Sequence, residues 1–314
     1  MTRRNESTAR LEVIPGGRTQ SAAPPRPIAL QVDWHTILQD LTSFGLIEMR
    51  VGNRAATLSC LAEPWSAHQA AGAGMVQGPG ISLAVVTPLL ASASIENGSG
   101  GQPADHVLRW FDWSGREALG IALTEESNWS SFHALLVRQW AQRATPRPVL
   151  DGCAAELTDL LDRLPVRVGA PAWQDLWHRP RPGAQVPAPG IPVDPTLLAP
   201  FLEAMADQAL PLRCLVGNPA LLQCHESDFY DCAVSAGNLR LRGSTATLVF
   251  ELDALAAATV VPVDGGRGQR TALVLYDAAA QVVATLMAAN ADDPDGQVDP
   301  WLWRTLVRAL SDRD

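Results

Sequence analysis

The pentapeptide Val51-Gly52-Asn53-Arg54-Ala55 returns as Val216-Gly217-Asn218-Pro219-Ala220, 165 residues further along the chain. Leu108-Arg109-Trp110-Phe111-Asp112 and Leu273-Val274-Leu275-Tyr276-Asp277 stand at the same separation. A shared offset constrains the fold more than any one motif, because both halves must then build the same few elements. Few positions are identical, and chance similarity is the competing explanation.

The order of blocks agrees with the offset. A helical segment with Trp34, Ile37, Leu38, Leu41 and Phe44 precedes the first Val-Gly-Asn, and Phe201, Leu202 and Met205 precede the second. The short strand Gly80 to Val85 is matched with Gly237 to Arg242. Each aromatic-Asp pair then runs into a small-residue turn, Trp113-Ser114-Gly115 or Ala278-Ala279-Ala280. A second apolar strand follows, Ala118 to Leu123 or Val283 to Met287, as in a hairpin. Each half closes with a helix. The first begins acidic at Glu125-Glu126-Ser127 and carries Trp129, Phe132, Leu135 and Leu136. The second opens at Asp299-Pro300 and carries Trp301, Trp303, Leu306, Val307 and Leu310.

Strands in each middle and helices at each end predict an α+β fold, two similar halves that each form a large antiparallel sheet flanked by helices. Residues 1–27, rich in Arg, Ser, Thr, Gly and Pro, read as a disordered tail. Residues 28–142 form the first repeat and 191–314 the second. The connecting segment 143–190 holds a short helix, Ala154 to Leu164, and a proline-rich stretch, with the boundary near Pro189.

Composition removes several chemistries. All 24 basic residues are arginine, so a Schiff-base lysine, a phosphate-loop lysine and a kinase-type lysine are excluded. A net charge of −9 argues against nucleic acid or an anionic membrane as the main partner. Five irregularly spaced cysteines read as reduced thiols. With no signal-like apolar run at the N-terminus and no apolar segment of membrane-spanning length, the expectation is a cytoplasmic protein that is not a membrane protein.

No His-Glu-x-x-His occurs. Gly72 to Gly78 superficially resembles a dinucleotide loop, but its third glycine is one residue late and no helix follows, so it reads as a flexible loop. Cys214, Cys224, His225 and Cys232 lack metal-ligand spacing, and Cys224 and His225, adjacent on a strand, point to opposite faces. Buried thiols are the ordinary reading. Arg240 and Arg242 alternate on one strand face, either as a cationic patch or as a solvated face. His225 is a candidate ligand in the second half.

His178 lies within Trp173-Gln174-Asp175-Leu176-Trp177-His178-Arg179-Pro180-Arg181-Pro182. A haem needs an imidazole for iron, flat apolar walls for the ring and cations for its propionates, and this decapeptide holds all three residue types. A partly exposed histidine on a Trp/Pro turn is the alternative.

The run from Leu108 through Gly115 to Leu123-Thr124-Glu125-Glu126-Ser127-Asn128 resembles the first half of the haemin-degrading or haem-transport factors (HemS/HmuS type). Leu215 to His225, Ala236 to Arg242 and Leu273 to Asp277 are similar to strands of that family's second half. The resemblance spans roughly residues 30–310. It implies paired α+β halves and a b-type haem held beside the second half by an axial histidine from the connecting segment, matched here by His178. Departures are plain: Arg-Pro-Arg-Pro follows His178, and Val261-Pro262-Val263-Asp264 replaces a basic run.

What the resemblance implies is a bacterial cytoplasmic protein of haem uptake and trafficking. His178 would bind iron, with Arg179, Arg181, Arg240, Arg242 and His225 around the cofactor. Its partners would be an inner-membrane haem importer or a haem-degrading enzyme. A haem-degrading enzyme and a non-haem interaction protein on the same scaffold are the alternatives.

Overall fold

The computed structural model describes residues 28–30, 33–70, 72–97, 106–141, 190–264, 269–289 and 300–311. The tail 1–27 and most of the connecting segment, with its expected helix at 154–164, lie outside the described residues.

The fold is α+β, and every strand pairing is antiparallel. Along the chain come β1 (Ile28–Leu30), α1 (Trp34–Leu41), β2 (Gly45–Gly52), β3 (Ala56–Ala62), β4 (Ser66–Ala70), β5 (Ala73–Gly78), β6 (Ile81–Val86), β7 (Leu90–Asn97), β8 (His106–Asp112), β9 (Glu117–Ser127) and α2 (Trp129–Ala141). After the connecting segment come β10 (Ile191–Val193), α3 (Leu198–Asp207), β11 (Pro211–Asn218), β12 (Leu221–Ser235), β13 (Asn238–Gly243), β14 (Ala246–Glu251), β15 (Ala257–Asp264), β16 (Gln269–Tyr276), β17 (Val282–Ala288) and α4 (Trp301–Ser311).

The described strands form two nine-stranded sheets. The first runs β1-β7-β8-β9-β2-β3-β14-β13-β12. The second runs β10-β15-β16-β17-β11-β12-β6-β5-β4. Each half therefore does not own its sheet: three strands from either side of the connecting segment complete the sheet begun by the other side. β12 belongs to both, its first residues lying between β11 and β6 and its last forming an edge against β13. In the other half this path is broken into β3 and β4 around Pro64, which has no N–H for a ladder.

Three expectations change. Strand Asn238–Gly243 takes the place in its sheet that Ala73–Gly78 takes in the other, so its counterpart is not the 80–85 strand. The stretch expected as a flexible glycine loop is strand β5, where an added Cβ at Gly74 would lie 2.6 Å from Leu38 Cδ1 of α1 and would make that side chain shift. Glu125 and Glu126 do not open the first closing helix. They end β9, and the helix is capped by Asn128, whose Oδ1 accepts from Ser131 N at 3.2 Å.

One core takes side chains from the inner faces of both sheets and from all four described helices, with Trp34, Phe132, Phe201 and Trp303 at its aromatic contacts. No described helix is long and apolar enough to cross a membrane.

Candidate functional site

The repeated Gly-Asn turns are where the halves cross. Asn53 Nδ2 donates to Gly217 O at 2.9 Å and Val283 O at 2.7 Å, while its Oδ1 accepts from Ala55 N and Ala56 N, both at 3.0 Å. Asn218 Nδ2 donates to Gly52 O at 3.2 Å and Ala118 O at 2.8 Å, and its Oδ1 accepts from Ala220 N and Leu221 N, both at 3.1 Å. Every hydrogen-bonding position of either side chain is engaged. The motif is a reciprocal clamp, and its chemistry is spent on the fold. A cleft of about 460 Å³ lies over it, with Arg50, Arg54 and Arg116 facing Asp112, Glu117 and Asp277.

The outer faces of the two sheets differ in kind. Across the first sheet, cross-strand registers align Arg109, Gly120, Arg50, Ser59, Thr247 and Arg242 in one row. Their charges are met on the surface. Glu117 bonds both Arg50, at 2.7 Å, and Arg109; Glu96 bonds Arg109 at 3.0 Å; and Asp231 bonds Arg242 at 3.0 Å. Across the second sheet the corresponding row reads Val274, Thr285, Leu215, Cys224, Ser82 and Gln77.

This second outer face is a separate apolar cluster. Met75, Ala84, Leu215, Leu222, Val274 and Met287 belong to it, and all are at most 3% exposed. It draws on six adjacent strands, from β16 to β5, so at ordinary strand spacing it is about 24 Å broad. Every described residue in it comes from a strand; the described helices all contribute to the other cluster. Arg213 and Arg270 stand at one end of the wall. Arg213 is the cross-strand neighbour of Met287 and pairs with Glu226, and Arg270 donates to Ala288 O at 2.9 Å. The connecting segment rejoins the described chain at this sheet. At Gly190 a Cβ would come within 2.5 Å of Val260 O on β15.

Of the sequence candidates, His178, Arg179 and Arg181 lie outside the described residues. Arg240 and Arg242 do share a face, but it is the outer face of the first sheet, where both are exposed. His225 lies within β12, on the inner face with Gln223 and Ser227. It is 2% exposed; Nε2 bonds Thr245 Oγ1 at 3.0 Å, and Nδ1 has no partner among the described residues. Burial pulls its pKa down to about 4 against the opposing charge of Glu226, so the ring is neutral. The structure therefore does not bring His225 together with Arg240 and Arg242, and the core closes it to any bulky ligand.

Three of the four described cysteines are buried thiols, and Cys232 is partly buried. Cys60, Cys214 and Cys224 are buried, and burial pushes the Cys224 thiol up to about 12, with Arg213 lowering it and Glu226 raising it further. Among the described residues no group of three or more His, Cys, Asp or Glu side chains is placed to hold a metal.

Sequence reasoning missed the apolar wall and its two arginines. The signal was the nearly continuous apolar runs Val282–Ala288 and Ile81–Val86, interrupted only by Thr285 and Ser82 and buried at every position where a one-faced strand would alternate.

No protein-family model matches the chain, and no curated protein matches it in sequence. Solved structures do match in fold. ChuS, an E. coli heme oxygenase, superposes with a TM-score of 0.69 at 19% identity, over 90% of this chain and 88% of that one. Apo-PhuS, a heme-binding protein from Pseudomonas aeruginosa, superposes with a TM-score of 0.68 at 20% identity, over 90% and 86% of the chains. Its holo form gives 0.68 at 19% identity, over the same shares. The chain has the fold of these proteins.

Proposed function

We propose that this chain binds haem against the apolar outer face of its second sheet, as a haem carrier. The observation that carries the reading is the contrast between two outer faces of one strand order. One is a solvated ladder of arginines and carboxylates, and the other is a flat, buried, apolar wall on which none of the described helices packs. Apolar surface of that breadth stabilises the chain only when it is covered, at roughly 25 cal/mol per Å². In this structure Leu215, Leu222 and Val274 of the wall are at most 3% exposed, so a porphyrin ring would bind it by displacing what covers it.

The residues fit the rest of the group. Arg213, which pairs with Glu226, and Arg270, which donates to Ala288 O, stand at one end of the wall, where two propionates would exchange with these partners. The axial imidazole would be that of His178, on the segment that rejoins the structure beside β15. When bound, haem supplies an iron that takes an imidazole nitrogen. The chain's own part is to bury the ring and hold its carboxylates. Fold likeness to ChuS and PhuS supports this reading.

The same reading takes residues 28–142 and 191–314 as two copies of one unit joined by 143–190. The identical strand order of the two sheets supports it. The protein would work in the bacterial cytoplasm, taking haem from an importer or passing it to a degrading enzyme.

A haem titration of the purified chain tests the proposal. A saturable Soret shift is expected, unchanged in Arg240→Ala, lost or moved in His178→Ala and weakened in Arg213→Ala. A spectrum identical to free haem at all ratios refutes it.

A further inference from the structure

The two sheets end on matching strands, β4 in one and the last residues of β12 in the other, and the two edges are finished differently. At β4 the carbonyl of Ala67 accepts from Gln39 Nε2 of α1 at 3.2 Å, and Gln69 Nε2 donates back to His35 O at 2.8 Å. A free strand edge is a template for another strand, and here a side chain of the neighbouring helix takes one of its carbonyls.

At β12 the closing donor is absent. Helix α3 packs beside β12 as α1 packs beside β4. Buried Phe201, Leu202 and Met205 match Ile37, Leu38 and Leu41 at a constant spacing of 164 residues, which puts Glu203 in the place of Gln39. Cys232 stands 165 residues after Ala67. Glu203 lies close to it: burial first, then this carboxylate, raise the Cys232 thiol's pKa. A carboxylate has no hydrogen to give a carbonyl.

The turn shows which groups are left over. Ala236 and Gly237, with φ of 48° and 79°, form the two-residue link between β12 and β13, which makes Ser235 and Asn238 a hydrogen-bonded pair. Pairs alternate along an antiparallel ladder, so Ala233:Arg240 and Asp231:Arg242 are bonded too. The backbone N–H and C=O of Cys232 and Val234 then point away from β13, and no described group takes them. Val234 is 56% exposed.

We propose that this edge pairs antiparallel with the same edge of a second copy, about a twofold axis at Ala233. In that register Cys232 of each copy exchanges two hydrogen bonds with Val234 of the other, four in all. The cysteine covers the exposed valine on one face. On the other, Asp231 meets Ser235, so no like charges oppose, and Ala233 meets only its small counterpart. The bulge between Phe229 and Asp231 ends the pairing beyond that point. One five-residue strand supplies both sides of this match, which favours a second copy over a foreign strand.

Sedimentation velocity of the full chain should give a species of twice its 33.6 kDa, dissociating on dilution. Glu203→Gln restores the donor found at Gln39 and weakens the association by at least roughly fivefold, the worth of about one hydrogen bond. Ala233→Cys in a Cys232→Ser background crosslinks to a dimer under mild oxidation, because a directly opposed non-bonded pair lies within disulfide reach. A chain that is monomeric at all concentrations overturns the proposal, as does a dimer indifferent to Glu203→Gln or one in which Ala233→Cys does not crosslink.

Discussion

Replacing Asn218 with alanine removes one side chain and breaks contacts on both sides of the molecule. Its amide donates to Gly52 O and Ala118 O, and its oxygen accepts from Ala220 N and Leu221 N. Each bond is worth about 1 kcal/mol net, and partly buried partners left without water cost more. The site borders the cleft, so water reaches some of them, and the sum comes to roughly 3 kcal/mol. Urea unfolding followed by circular dichroism measures it as a fall in midpoint at unchanged slope. Asn53→Ala should cost about the same, and the double variant less than the sum, because the two clamps hold the same crossing. Asn218→Asp keeps the acceptor but turns a carboxylate oxygen toward two carbonyls, so it should cost at least as much above the carboxylate's raised pKa and recover as pH falls. A loss below about 1 kcal/mol in Asn218→Ala would refute the clamp.

Three further outcomes follow from named groups. His225 is neutral in the fold with a pKa near 4, against 6.5 for an exposed histidine, so the unfolded chain binds its proton first. Stability should be full above pH 6.5, fall by on the order of 3 kcal/mol as pH drops toward 4, and level off below; His225→Gln should flatten this part of a urea-midpoint profile. Glu117→Gln removes the carboxylate shared by Arg50 and Arg109 on an open sheet face, and should cost less than about 1 kcal/mol in thermal unfolding at physiological salt. Gly190→Ala drives a methyl group into Thr259 and Val260 and should detach β10, read as faster amide exchange along β15.

The fold class was legible because local pattern and offset agreed. What sequence could not show was which strands become neighbours. Asn238–Gly243 and Gly80–Val85 look alike, each opening on a glycine-containing turn with alternating aliphatic residues, yet only long-range pairing puts the former in the place of β5. Leu-Thr-Glu-Glu-Ser reads as an acidic helix start. The chain stays extended there because Thr124 Oγ1 and Ser127 Oγ both donate to Leu46 O, at 2.7 and 2.6 Å. At the site, alternation correctly placed Arg240 and Arg242 on one face, but not which face or which sheet. His225 looked like any strand histidine until its neighbours were known. The apolar wall hid in plain hydrophobic runs, since a side chain facing a ligand and one facing the core have the same composition.

The proposal's central claim concerns one face of one sheet, and a charge placed on it is the most direct test. Leu222→Arg puts a guanidinium in the middle of the wall, while Arg240→Ala and Arg242→Ala alter only the solvated face of the other sheet. Haem titration of the three folded variants should show a saturable Soret shift for the two arginine variants and none for Leu222→Arg. Haem binding that survives Leu222→Arg with the affinity of the unaltered chain would contradict the account.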